Sequence, residues 1–226
     1  MGYSRQNIIE KLETAKENMQ VFYKADFVNY RGKTSDTNEV YTEIVCEWIL
    51  ENMELLNNVP NIKRAKSYFT KTHDGIIKNK KSNRDEEIIA MRLFNQSQID
   101  NIGEILDYQT PLKNKSSDMA GKIDLLAYDG ETLRILELKK PDSDETMLRC
   151  VLEGYTYLKT VDVKKLLRDF NLPIDTKIVA CPFVFKNGKQ YREMKEERPY
   201  LHKLMTLLDS KPYYITEENQ VYKVEE

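Results

Sequence analysis

The chain has 226 residues, 40% hydrophobic and 32% charged, with a formal net charge of −2 at pH 7. That length allows one domain with appendages or a small pair, and the near-neutral balance excludes a global pull toward polyanions, so any nucleic-acid face must be a local patch. Cys46, Cys150 and Cys181 are odd in number and lack ligand spacing, and no apolar stretch or signal-peptide core is evident; this argues against a disulfide framework, a zinc site and a membrane partner, and predicts a cytoplasmic protein.

Ile8, Ile9, Leu12, Ala15 and Met19, then Val40, Ile44 and Trp48, recur at helical spacing and predict amphipathic helices near residues 4–24 and 37–57. Residues 31–36, Arg-Gly-Lys-Thr-Ser-Asp, supply a turn and an N-cap candidate. Trp48 reads as core rather than a base-stacking platform. Residues 65–69 read as a short strand or extended link. His73 and His202 share no motif, so histidine-based catalysis is not expected.

Residues 83–94 read as an amphipathic helix with Asp85, Glu86 and Glu87 in its first turn. Glu86 shares a stripe with Ile89 and Leu93, and Glu87 one with Ala90, Met91 and Phe94. Residues 103–112 then read as a strand ending at Pro111, with Asp107 and Gln109 on one face, either solvated or making an outer contact to substrate or a metal-bound water.

The densest signal lies in the next segment. Residues 122–128 and 133–139 are apolar strands around Asp129-Gly130, a tight-turn pair, and Pro141 limits the second. Glu137 and Lys139 share a face, while Leu136 and Leu138 point the other way. A two-residue loop sets Asp124 diagonal to Glu137, and a four-residue loop (129–132) sets it directly opposite. A three-residue loop would separate the two carboxylates onto opposite faces. Both interrupt apolar runs, and a buried carboxylate needs a partner or a metal. Two carboxylates suit a hard divalent cation, and a lysine beside them suits a reaction that builds negative charge.

Beyond the hairpin, 142–144 (Asp-Ser-Asp) offer an N-cap for a helix over about 145–160, with Glu153 and Tyr157 on one face. Tyr157 reads as a core tyrosine or a substrate contact. Residues 176–185 read as a further strand with Cys181 as a small core residue. Pro199 begins a helix with Leu201, Leu204, Met205 and Leu208 on one stripe. Tyr213, Tyr214 and Ile215 suggest a small strand, pairing with 221–224. Lysines cluster before the 83–94 helix (Lys78, Lys80, Lys81, Arg84), ahead of the hairpin (Lys113, Lys115, Lys122), and at Lys159, Lys164, Lys165 and Arg168.

The order helix, strand, strand, strand, helix, strand over 82–185, with Asp124 and Glu137-Leu138-Lys139 on the second and third strands, resembles the PD-(D/E)XK nuclease superfamily. The resemblance implies an α/β (mixed α+β) restriction-endonuclease-like αβββαβ core over 76–190. A helical segment (1–75) would pack on it, and a helix and short strand (191–226) would extend it. It further implies Mg²⁺, with Mn²⁺ able to substitute, held by Asp124, Glu137 and the Leu138 carbonyl, with Lys139 assisting hydrolysis. The family's first-helix glutamate maps to Glu86, with Glu87 second. Several branches carry Gln-x-x-x-Tyr where this chain has Glu153 and Tyr157, and a carboxylate there repels phosphate unless metal-bound, protonated or paired with a lysine. The expected activity is a nuclease on DNA, endonuclease rather than exonuclease. Lys80, Lys81, Arg84, Lys113, Lys115 and Lys122 are the candidate nucleic-acid contacts, and Gln109 a secondary site residue. Homodimerisation stays open, since cutting both strands often needs two sites. The alternatives are a silent nucleic-acid-binding module or a partner-binding subunit of the same fold.

Overall fold

The computed structural model describes residues 2–77 and 85–226. The first helix, α1 (Arg5–Ala15), starts at a Ser4–Asn7 capping box and is shorter than its periodicity predicts. The chain then breaks into short 3-10 turns at Lys16–Asn18, Phe22–Lys24 and Asp26–Asn29. Met19, Phe22, Tyr23, Phe27 and Val28 are all buried, and one straight helix would spread them around its circumference. Helix α2 (Tyr41–Glu51) starts later than predicted, at an N-cap Val40 without a side-chain cap. The cap candidate Asp36 instead accepts the Arg5 amide at the start of α1, at 3.0 Å. Trp48 is core: it is buried, stacks on Phe22 and donates its indole N–H to Glu13 at 2.9 Å. Residues 65–69 form no strand; nearby Ile62 makes an isolated bridge to Val161.

Helix α3 (Asp85–Gln96) leads into β1 (Gln98–Ile99), a strand that the sequence pattern does not predict, then β2 (Gly103–Pro111), β3 (Lys122–Tyr128) and β4 (Thr132–Lys139). Helices α4 (Met147–Thr160) and α5 (Val163–Asp169) precede β5 (Lys177–Phe185). Helices α6 (Lys189–Glu193) and α7 (Pro199–Leu207) precede β6 (Tyr213–Glu218) and β7 (Val221–Glu225). Among the described residues the strands form one seven-stranded mixed sheet in chain order, parallel at β4–β5 and β5–β6 and antiparallel elsewhere. Each parallel step needs a crossover, which α4–α5 and α6–α7 provide.

Two apolar layers flank the sheet. The N-terminal helices, α4 and α7 cover one face, with Ile8, Ile44, Leu148 and Leu204 among the buried residues. Helix α3 covers the other through Ile89, Ala90 and Leu93, against Leu136, Leu138 and Phe183. The last hairpin extends the same sheet and curls it around α3. Gln96, in the helix's final turn, donates to the Tyr222 carbonyl at 2.7 Å and accepts its amide at 2.9 Å.

Two local features set the geometry of the β3–β4 hairpin and of the helix packed behind it. Leu125 pairs with Leu136 and Tyr128 with Leu133, so the β3–β4 loop has four residues, 129–132. Asp129 Oδ1 accepts the amides of Glu131 and Thr132, and Gly130 supplies φ +102. Helix α4 begins beyond its predicted cap at 142–144: Thr146 is the N-cap, accepting from the Arg149 amide at 3.2 Å. Tertiary contact decides this, because Thr146 is fully buried and bonded to the Val28 carbonyl and the Asn29 side chain. No helix among the described residues is long and apolar enough to cross a membrane.

Candidate active site

Strand alternation sends Glu137 and Lys139 toward α4, while Leu136 and Leu138 bury against the α3 layer. Each leucine is fully buried and contributes roughly 1.5–3 kcal/mol by leaving water, anchoring the strand from the far side. Glu137 and Lys139 are themselves 3% and 5% exposed. Lys139 Nζ lies 2.7 Å from Glu137 Oε1, 2.7 Å from Glu145 Oε2 and 3.2 Å from Glu153 Oε2. Helix α4 passes close to the strands here: a Cβ added at Gly154 would make ordinary van der Waals contact, 3.6 Å, with the Glu137 and Ala180 Cβ atoms. Of the three circumstances in which a carboxylate at 153 is tolerable, the structure shows lysine pairing. Tyr157 is buried and donates its hydroxyl to Glu153 Oε1 at 2.7 Å.

Asp124 completes the group. The four-residue-loop register, continued by one residue, places it opposite Glu137. Its Oδ2 accepts the Leu138 amide at 3.0 Å, and its Oδ1 accepts Gln109 Nε2 at 2.9 Å. The N–H and C=O of one strand residue point to the same side, so the Leu138 carbonyl is directed toward β3, where ladder pairing has ended. Asp124 opens onto a cleft of about 450 Å³, whose walls include Glu86, Glu87, Gln109, Lys122 and Lys140. Glu86 Oε1 accepts the Lys140 amide at 3.1 Å, which ties the start of α3 to the end of β4.

Negative charge is in surplus. Asp124, Glu137, Glu145 and Glu153 lie around one buried ammonium, and among the described residues only Glu145 has a second cation, Arg149 at 2.9 Å. Burial pushes the Asp124 carboxyl up to about 7, with Glu86 and Glu153 adding to the rise and Lys139 and the Leu138 N–H opposing it. Burial, then the charges of Asp124 and Glu153, holds Glu137 well above the usual carboxylate range. For Glu153 burial acts in the same upward direction, but Lys139 and the Tyr157 hydroxyl outweigh it and the net shift is downward. Lys139 is held well above its ordinary value by Glu137 and Glu153 against the opposing effect of burial.

Such a surplus fits a divalent cation: Asp124, Glu137 and the Leu138 carbonyl would hold it, with Glu86 across the cleft. Among the described residues no three such side chains stand assembled around one point. The cause is local: Glu137 is turned to Lys139, and Asp124 to Leu138 and Gln109.

The remaining candidates fall at varied distances from this group. Asp107 is neither solvated nor paired in orientation with Gln109. It is buried, bonded to His73 Nδ1 at 2.6 Å and to the Thr110 hydroxyl at 2.7 Å. A bulge between Ile105 and Asp107 and the positive φ of Gln109 (51°) break the alternation assumed for β2. Lys122 is on the cleft wall, and Lys113 and Lys115 are exposed on the preceding loop. Lys80, Lys81 and Arg84 lie outside the described residues. Sequence reasoning missed Glu145 and Lys140 as neighbours of the site. Lys140 adjoins the Glu-x-Lys motif and was within reach of such reasoning; Glu145 comes after a loop whose course no local pattern reveals.

No protein-family model, curated protein or solved structure matches this chain.

Proposed function

We propose that this chain is a metal-dependent phosphodiesterase with a restriction-endonuclease-like core, a nuclease of the PD-(D/E)XK type with DNA as the expected substrate. The observation that carries the reading is the meeting of Asp124 and Glu137 across the β3–β4 hairpin, with Lys139 on the same face as Glu137. Bound Mg²⁺, or Mn²⁺ in its place, would supply charge neutralisation at the phosphate and a more acidic water. Asp124 on the cleft wall, with the buried Glu137 and the Leu138 carbonyl behind it, would hold the ion, and Glu86, also on the cleft wall, would supply a further carboxylate. Lys139, on the face of Glu137 and held in its charged form by the carboxylates around it, would oppose the negative charge that builds at phosphorus.

A second reading has its own support. Every carboxylate of the group already has a hydrogen-bond or ion-pair partner, the condition of a nucleic-acid-binding module without turnover. One experiment separates the two: incubate the protein with linear and circular, single-stranded and duplex DNA and with RNA, in Mg²⁺, Mn²⁺ or EDTA, beside Glu137→Ala. Metal-dependent cutting that the variant loses supports the nuclease, and cutting of circular DNA identifies an endonuclease. Binding without cutting, equal in both proteins, supports the silent module.

A further inference from the structure

From residue 61 to 73 the chain carries Lys63, Arg64, Lys66 and Lys71 and no acidic residue, a composition that a net charge of −2 does not predict. This stretch has no regular structure of its own and is held in place by two neighbours. Toward the hairpin, Arg64 donates to the Lys113 carbonyl, and the Ala65 amide donates to Asn114 Oδ1 at 2.8 Å. Toward α5, the Tyr68 amide donates to Asp169 Oδ2 at 2.8 Å, and the buried Tyr68 ring lies beneath both Arg64 and Lys165. Three basic runs distant in sequence (63–71, 113–122 and 164–168) are thus tied side by side through the 61–73 segment. Lys122, at the end of the second run, is on the wall of the Asp124 cleft.

Lys165 pairs with Asp169, and Asp118 lies near Lys113 and Lys115, but among the described residues most of the cations on this face are not in ion pairs. Lys63, Lys66, Lys113, Lys115 and Arg168 are exposed and make no salt bridge to any described residue. The one carboxylate in the 113–122 loop, Asp118, is used by the amides of Asn114 and Lys115 to close its turn. Amid these cations Phe69 is 48% exposed. Its ring meets Phe170 at 86° and 5.9 Å, an edge-to-face contact that covers at most one of its faces.

We propose that this face seats a single strand of nucleic acid and leads it to the Asp124 cleft. The lysines and Arg168 follow its phosphates and Phe69 stacks on a base. A row of cations with an uncovered ring is the chemistry of single-strand binding, because the bases of a duplex have no free face to offer. The path into the cleft rests on the nuclease reading; the seat itself does not.

The test measures binding by the full chain in EDTA, using labelled oligothymidylate of about 20 nucleotides and a duplex of the same length. The combined Lys63→Glu, Lys66→Glu, Lys113→Glu variant and Phe69→Ala are compared with wild type, with thermal melts to confirm that these exposed changes leave the fold intact. Wild type is expected to prefer the single strand. The charge variant should flatten the dependence of log affinity on log salt by about 2. Phe69→Ala should weaken single-strand binding roughly 5- to 100-fold and leave the duplex unchanged. Wild type that binds neither probe, variants that bind like wild type, or a duplex preference indifferent to Phe69 would each overturn the proposal. Failure of the nuclease reading shows separately, as absence of Glu137-dependent cutting once metal is added.

Discussion

The backbone amide of Leu138 donates to the Asp124 carboxylate at 3.0 Å, one step past the last backbone pairing of β3 with β4. This bond extends the hairpin by a side chain where main-chain pairing stops, and leaves a strand carbonyl facing the same gap. It also fixes Asp124 beside carboxylates that resist its ionisation, and the consequences can be measured.

The first concerns Asp124 itself. Its carboxyl is raised to about 7 in the fold. Above the unfolded value the native state holds a proton that the unfolded chain has released, so stability falls as pH rises between ~4 and ~7 and is level above. Asp124→Asn removes that loss. In EDTA the variant should match wild type near pH 4 and exceed it by as much as ~3–4 kcal/mol at pH 8 in urea titrations. A constant difference across this range would show that Asp124 ionises freely.

Lys139 has the opposite character. Lys139→Met strips the ammonium from Glu137, Glu145 and Glu153 and leaves the ionised, buried Glu153 without the cation that holds it charged. Removing one member of such a group costs about 3–5 kcal/mol, so a large drop in denaturation midpoint is expected at pH 7. The loss should shrink at pH 4, as the carboxylates take up protons. A variant as stable as wild type at neutral pH would disprove the pairing.

Gly121 lies at the entrance to β3, where an added Cβ would stand 2.3 Å from the Tyr157 hydroxyl. Gly121→Ala must therefore push Tyr157 off Glu153, at a cost of about 1–3 kcal/mol. The remedy is specific: in a double-mutant cycle, Tyr157→Phe should recover part of the loss by removing the oxygen that collides. Strict additivity would place the strain elsewhere.

Gln96 makes both side-chain bonds to the backbone of Tyr222. Gln96→Ala should destabilise the chain by about 1–3 kcal/mol and speed hydrogen exchange at the Tyr222 amide. Unchanged protection there would mean that β7 does not depend on α3.

Much of this arrangement is legible locally. Alternation around Asp129-Gly130 marks the two strands, and two of the three loop lengths it leaves open place Asp124 and Glu137 on one face; the periodicity of α3 and α7 matches their buried stripes. Local patterns mislead where a distant contact overrides a local preference. Thr146 caps α4 because Val28 and Asn29 reach it, and Asp36 serves α1 rather than α2. Asp107 has the pattern of a solvated residue, yet His73 closes over it.

The sequence alone determined the charged motif, the main helices and strands around it (though not β1, α5 or α6) and the shared face of Glu137 and Lys139, because these depend on side-chain period and turn chemistry over a few residues. Only the tertiary structure decided among the two-, three- and four-residue loops, brought Glu145 and Glu153 onto Lys139, and joined Arg64 to Lys113 and Tyr68 to Asp169. Those contacts join residues far apart in the chain or separated by a loop. Their geometry is set by how helices and loops pack on the sheet, which no local period encodes.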